Sequence, residues 1–309
     1  MKPLYKLMVL GAALLTSCSK SDDEAAAPDY NQLPATVQEH WFGYQSLMKL
    51  SYADDQIATY LGPDMDTTLH YFNPAVSKIW QYTKATYGEF GADPRLRLYL
   101  HDKEYMTGNG LTATLANYMD NICDYKNAVV VSSTMWKDTA VMTAVFTHEI
   151  SHIVEGGSLS IKYSPTAKLW GDSKFQDIFI YDCYLNTGMT ALADAWLAEY
   201  QTNYATYPLA KTYWFRDWWY PVYSKYGQTK VLTNYFRLLS ENLDHQPNGN
   251  GFQEYTQDVN MGEFVHFMSG AAGVNLKEQA KLAFGWSMEY EQQFLNAQED
   301  YPNVKYNKQ

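Results

Sequence analysis

Positive charge is the first thing this chain has little of. Its 309 residues carry 23 Lys and Arg against 34 Asp and Glu, a net charge of −11 with histidine neutral. That balance argues against nucleic acid or an anionic membrane surface as a partner. Cysteine is scarce as well, with three copies, Cys18, Cys123 and Cys183. Cys123 and Cys183 allow at most one disulfide, and two buried thiols are the equal alternative. The apolar stretch at the amino terminus, residues 7–15, is too short to cross a bilayer. No internal repeat or low-complexity run interrupts the remainder. Residues 38–309 are enough for one large core, or for two lobes facing a cleft.

What the amino terminus does have is Lys2 and Lys6, then the short apolar core, then Leu15-Thr16-Ser17-Cys18. This order resembles the signal of bacterial lipoproteins, in which the chain is cut before a cysteine that becomes acylated. The resemblance implies a signal peptide over residues 1–17 and lipidation at Cys18, with several acyl chains holding the protein to a membrane. Asp22-Asp23-Glu24 follows closely and resembles the export signal of surface lipoproteins in Gram-negative bacteria. The expectation is an outer-membrane lipoprotein facing the outside, with residues 18–37 as an acidic flexible tether. Removing residues 1–17 takes away two lysines and no acid, so the net charge moves from −11 to −13.

Residues 148–152 read His148-Glu149-Ile150-Ser151-His152. Positions i and i+4 of a helix stack on one face, so two imidazoles can aim at one metal ion while Glu149 stands beside them. The surrounding residues suit a helix. Asp138 is placed to cap it, and Val141, Val145, His148, His152 and Glu155 fall on one stripe. Gly156 and Gly157 are placed to end it. Just upstream, residues 128–132 are β-branched and read as a strand. A strand leading into such a helix resembles the zincin metallopeptidases. There the strand near the helix commonly lines the cleft and pairs with an extended peptide.

A catalytic zinc site needs a third protein ligand. The metzincin continuation is missing, because Glu155 stands where that pattern has glycine and the next histidine is His245. The gluzincin branch instead takes an acid from a second helix about twenty residues on. Residues 172–183 look helical and carry Asp172, Asp177 and Asp182. Asp172 is the favoured ligand, with Asp177, Asp182 and Glu155 as alternatives. It is also placed to cap its own helix. The resemblance to gluzincins departs at this point, since those families use glutamate. Glu149 is the expected general base. For a further donor to the reacting oxygen the candidates are His266 and Tyr181.

The expected fold is α+β and zincin-like. The N-terminal lobe, about residues 38–157, reads as mixed α/β and closes with the histidine helix. It should have helices over 38–62 and 73–87, a strand over 95–100 with one face buried, and a strand over 112–118. The C-terminal lobe, about residues 158–309, reads as mainly helical, with helices over 190–203, 229–242, 262–270 and 288–298. A capping box at Asn275 should open a further helix that stops before Gly285. Residues 213–220 are almost all aromatic. They either stack on sugar rings or pack inside.

Residues 148–157 with 170–175, then 262–270 and 283–286, are similar to a family of secreted bacterial zincin-like proteins. The expected activity is zinc-dependent hydrolysis of peptide bonds on the cell surface, with a peptide or protein substrate, glycoproteins included. The alternative is a zincin scaffold that captures peptide or glycan for import with little or no catalysis. Intact Glu149 argues against it, because binding alone does not need that base.

Overall fold

The structure, a computed structural model, describes residues 32–307 except 104 and 107–109. The signal peptide, Cys18 and the tether up to residue 31 lie outside the described residues. The fold is mixed α+β, with one six-stranded sheet, a second small sheet and about ten helices. None of the helices is long and apolar enough to cross a membrane among the described residues.

Strands β1 (Thr36–Gln38), β2 (Leu47–Ala53) and β3 (Ile57–Leu61) open the sheet as an antiparallel run. Residues 38–62 are therefore not the expected helix, and β1 starts inside the stretch read as tether. The misreading has a physical cause. Ile57-Ala58-Thr59-Tyr60-Leu61 is buried on both faces, so it shows no alternation of apolar and polar residues. Helix α1 (Asn73–Tyr87) spans the expected residues and carries the chain across to β4 (Leu96–His101), parallel to β3. Strand β5 (Leu111–Ala116) lies at the sheet edge, and β6 (Ala128–Ser133) fits between β4 and β5.

The β4 strand does alternate, but both of its faces are buried. Leu96, Leu98 and Leu100 enter the main core, together with Ile57, Val129 and Val131 from the neighbouring strands. Tyr99 faces a second, smaller core with Trp41, Tyr44 and Met48. Residues from the amino-terminal stretch thus cover the face that a one-sided sheet would leave wet. Cys123 belongs to the smaller core and Cys183 to the main one, and both are free thiols.

Helix α2 (Thr139–Gly157) follows β6, and Asp138 caps it by accepting a hydrogen bond from the Val141 N–H at 3.1 Å. It runs through Gly156 and Gly157 and ends at Ser158, slightly later than expected. Strand β7 (Ile161–Lys162), the short helix α3 (Ala167–Trp170), α4 (Lys174–Asn186) and α5 (Thr190–Tyr200) come next. Then follow α6 (Tyr220–Lys225), α7 (Thr229–Asn242), β8 (His245–Pro247) and β9 (Gln253–Tyr255). Helices α8 (Met261–Ala272), α9 (Lys277–Phe284) and α10 (Met288–Asp300) complete the chain.

The two halves are not separate bodies, since the main core runs from Ile57 to Val304 and draws on both. The aromatic stretch before α6 forms a π-helical turn, with Trp214, Phe215, Trp218 and Trp219 all buried. These rings pack inside, and sugar stacking is closed to them. The capping box is also placed differently. Asn260 and Glu263 make it at the start of α8, whereas Asn275 only accepts from the Lys277 N–H. The run 262–270 has a packing reason of its own. A Cβ on Gly262 would fall 2.2 Å from the backbone of α10, so only glycine lets the two helices approach this closely.

Candidate metal centre

The stripe on α2 divides the helix into two roles. Met142, Phe146, Ile150 and Ile153 point into the core. Val141, Val145, His148 and Glu149 line a cleft of about 540 Å³. Its other walls come from Leu111 and Ala113 on β5, from Ile180 and Tyr184 on α4, and from Trp196 and Tyr200 on α5.

At the cleft, three groups converge. The Nε2 atoms of His148 and His152 lie 3.1 Å apart, and Asp172 Oδ1 lies 3.2 Å from the first and 3.0 Å from the second. Among the described residues these three form the one cluster whose ligand atoms fall within 4.8 Å of each other. A tetrahedral zinc site with bonds of about 2.0–2.1 Å needs ligand atoms about 3.3 Å apart. The donors present, two neutral-capable imidazoles and a carboxylate, fit that ion in type and in spacing.

Asp172 reaches the histidines because of the turn before α4. Gly171 adopts φ +62°, where a Cβ would meet the Tyr207 ring at 3.0 Å, and Ser173 also has a positive φ. The helix begins at Lys174, not at Asp172, and Asp172 does not cap it. The carboxylate is left free to face His148 and His152, while its side chain stays 72% exposed.

The alternative acids have other partners. Glu155 accepts hydrogen bonds from Ser164 Oγ at 2.6 Å, Trp170 Nε1 at 2.5 Å and Gln176 Nε2 at 2.8 Å. Its Oε2 also lies 3.3 Å from His152 Nδ1. For Nε2 to ligate a metal, Nδ1 must carry the proton, and Glu155 is placed to accept it. Glu155 is thus placed to orient the His152 ring and lies outside the cluster of possible ligands. Asp182 is caged by Tyr82, Tyr87, Tyr223, Thr229 and Asn186. Asp177 is buried inside α4 and is not part of the cluster.

The electrostatics follow from this geometry. Hydrogen bonds from His148 and His152 hold Asp172 well below the usual carboxylate range, against the opposing effect of burial. Burial works against a charged His152 ring, but Asp172 and Glu155 overcome it and push the ring up to about 10. Burial raises the proton affinity of Glu149, with the two histidines pulling it back.

The two candidate donors are not brought to the cluster. His266 has Nδ1 2.9 Å from the Tyr306 hydroxyl and Nε2 3.2 Å from the Tyr301 carbonyl, so both ring nitrogens are engaged elsewhere. Tyr181 packs among Phe215, Tyr220 and Tyr223 rather than along the cleft. The sequence reading missed the cleft wall on α5 and the hydrogen bonds that hold Glu155. Trp170 was a usable signal, since a buried indole N–H needs an acceptor and Glu155 is that acceptor. The strand preceding α2 was expected to offer its edge, but β6 is paired on both sides and β5 is the edge strand among the described residues. No family model matches the chain, and no curated protein matches it.

Proposed function

We propose that this protein is a zinc-dependent peptidase of zincin type. The observation that carries this reading is the convergence of His148, His152 and Asp172 beside buried Glu149 in an apolar cleft. A zinc ion held by those three residues would lower the pKa of a coordinated water toward neutrality and polarise a carbonyl oxygen. Glu149 takes the proton from the attacking water and returns it to the leaving nitrogen. Its raised proton affinity suits that two-way role. Glu155, fixed by Ser164, Trp170 and Gln176, keeps the His152 ring turned toward the ion. An extended substrate lies along β5, the last strand of the six-stranded sheet among the described residues. The apolar walls exclude water from the bond being cut. Lipidation at Cys18 is part of the same proposal and places this cleft at the outer membrane of a Gram-negative cell, facing outward.

The test is a peptide library incubated with wild type and with Glu149→Gln, alongside metal analysis. Wild type should hold stoichiometric zinc and cut peptides, and the variant should keep its zinc while losing about a hundredfold or more in kcat. A wild type that cuts nothing the variant leaves intact overturns the peptidase. A chain without stoichiometric zinc, in which His148→Ala changes nothing, overturns the metal site.

A further inference from the structure

We propose that Phe42, Ile122 and Tyr125 form a docking face, which lays one side of the sheet on the bilayer that holds the acyl chains of Cys18. This rests on the lipidation reading and goes beyond it, from an anchor to an orientation.

The sheet has two unlike faces. Helix α2 packs on one of them through Met142, Phe146 and Ile150 in the main core. The other is covered by two turns, whose Trp41, Tyr44 and Cys123 fill the smaller core. Residues next to these in the chain turn outward. Phe42 is 40% exposed, Ile122 42% and Tyr125 46%. Backbone hydrogen bonds fix both turns, from the Tyr44 N–H to the Trp41 carbonyl at 2.8 Å and from the Tyr125 N–H to the Asp120 carbonyl at 3.0 Å. His40 Nε2 lies 3.3 Å from Asp124 Oδ1, which sets the turns side by side. Phe42 and Tyr125 hold φ of +52° and +56°, a left-handed backbone that bulky residues seldom adopt. Ordered turns thus display large apolar side chains, and such displays mark contact surfaces.

The occupant follows from where Leu33 sits. Leu33 is half-buried against the smaller core, and the Pro34 carbonyl accepts from the Tyr60 hydroxyl at 3.2 Å. The chain therefore joins the sheet on the same face as Phe42 and Tyr125. Leu33 follows Cys18 by about fifteen residues, a length that spans about 20 Å as a coil and at most about 50 Å fully extended. A domain of this length has a radius of gyration of about 19 Å, so its width approaches that extended limit. Acyl chains at Cys18 keep the face carrying Leu33 near the bilayer. Presenting the opposite face would use nearly the whole extended length.

The chemistry of these side chains fits an uncharged boundary. Aromatic rings sit well where hydrocarbon meets headgroups, and Ile122 adds apolar contact. A net charge of −11 gives anionic lipid no pull on the chain, so a zwitterionic bilayer is the match. Other exposed apolar residues do not share this position. Tyr207 lies against Gly171, beside Asp172. Leu282 and Met288 belong to α9 and α10, outside the smaller core. Docking through the smaller-core face turns the α2 side of the sheet, with its cleft, away from the bilayer.

Two readouts separate the anchor from the face. The mass of the protein purified from a Gram-negative host reports acylation at Cys18. An unacylated Cys18 overturns the anchor, and the native role of the face with it. The face itself is read on the mature chain from Cys18, coupled through that thiol to a maleimide phospholipid in phosphatidylcholine vesicles. Cys123 and Cys183 are buried, so Cys18 is the thiol that reacts. Amide hydrogen exchange over residues 39–46 and 120–126 should slow about fivefold on anchoring, and exchange in α9 and α10 should not change. Phe42→Asn, Ile122→Asn and Tyr125→Asn together should remove that slowing. Asparagine tolerates left-handed backbone and the three side chains lie outside both cores, so the thermal midpoint should stay within about 2 °C. Unchanged exchange over both segments in anchored wild type overturns the proposal. So does slowing that the triple variant keeps, or slowing that is strongest on another face. Slowing that appears without vesicles as protein concentration rises assigns the face to a second copy of the chain and overturns the bilayer as its occupant. If Cys18 is acylated and the two segments exchange freely, the face fails and the anchor stands.

Discussion

Asp172 and Asp182 lie on one short stretch of chain and carry the same side chain, yet they have opposite fates. Asp172 is mostly exposed and spends one oxygen on two histidines from another helix. Asp182 is wholly buried and receives hydrogen bonds from four hydroxyls and an amide. The difference shows what an acid requires before it could serve as a ligand. It needs an uncommitted lone pair, a path for the ion and a second donor aimed at the same point. Asp182 has none of these, because every lone pair is already used to hold α1, α4, α6 and α7 together. Asp177, between them, has a third environment: burial raises its proton affinity, with Lys174 pulling it back.

The comparison can be broken at its strongest point first. Asp182→Ala should destabilise the fold by about 3 kcal/mol, because it leaves several buried hydroxyls without an acceptor. Denaturant unfolding measures this, and zinc affinity at low denaturant should stay near wild type. Asp172→Asn should do the reverse, with little change in unfolding and a loss of about a hundredfold in zinc affinity by competition with a chelator. If Asp172→Asn binds zinc normally, Asp172 is not the third ligand. Glu155→Gln comes next in size. It keeps the shape of the group but weakens the acceptor for His152 Nδ1, so zinc affinity should fall about tenfold.

The smallest effect sharpens the contrast through pH. In the metal-free protein His152 holds its proton up to about 10, above the ordinary histidine value of about 6.5. Its contribution to stability is complete below about pH 6.5 and is lost as pH rises toward 10. An ion must displace that proton, so zinc affinity should climb across the same window, by at most about tenfold per pH unit. Thermal unfolding of chelated protein and zinc titration should therefore run in opposite directions with pH. A flat zinc affinity between pH 7 and 9 would contradict the coupling of His152 to Asp172 and Glu155.

Much of the site is written locally. The spacing of His148 and His152, the cap at Asp138 and the strand over residues 128–133 depend on neighbours in the chain, and each is where pattern reasoning puts it. The helices α1 and α7 match their expected bounds for the same reason, since Asn73-Pro74 and the 3.6-residue stripe of residues 229–242 act within a few turns. Within residues 38–62, Ile57–Leu61 was illegible because that strand is buried on both faces, and only pairing with β4 distinguishes it from helix.

Short-range pattern thus placed His148 and His152 side by side on one helix, because a helix imposes its own geometry on positions four apart. It could not rank Asp172, Asp177, Asp182 and Glu155. That choice depends on which lone pairs other segments consume. Ser164 and Trp170 consume those of Glu155, and Tyr82, Tyr87, Tyr223 and Thr229 consume those of Asp182. Only the packed chain brings those donors into reach.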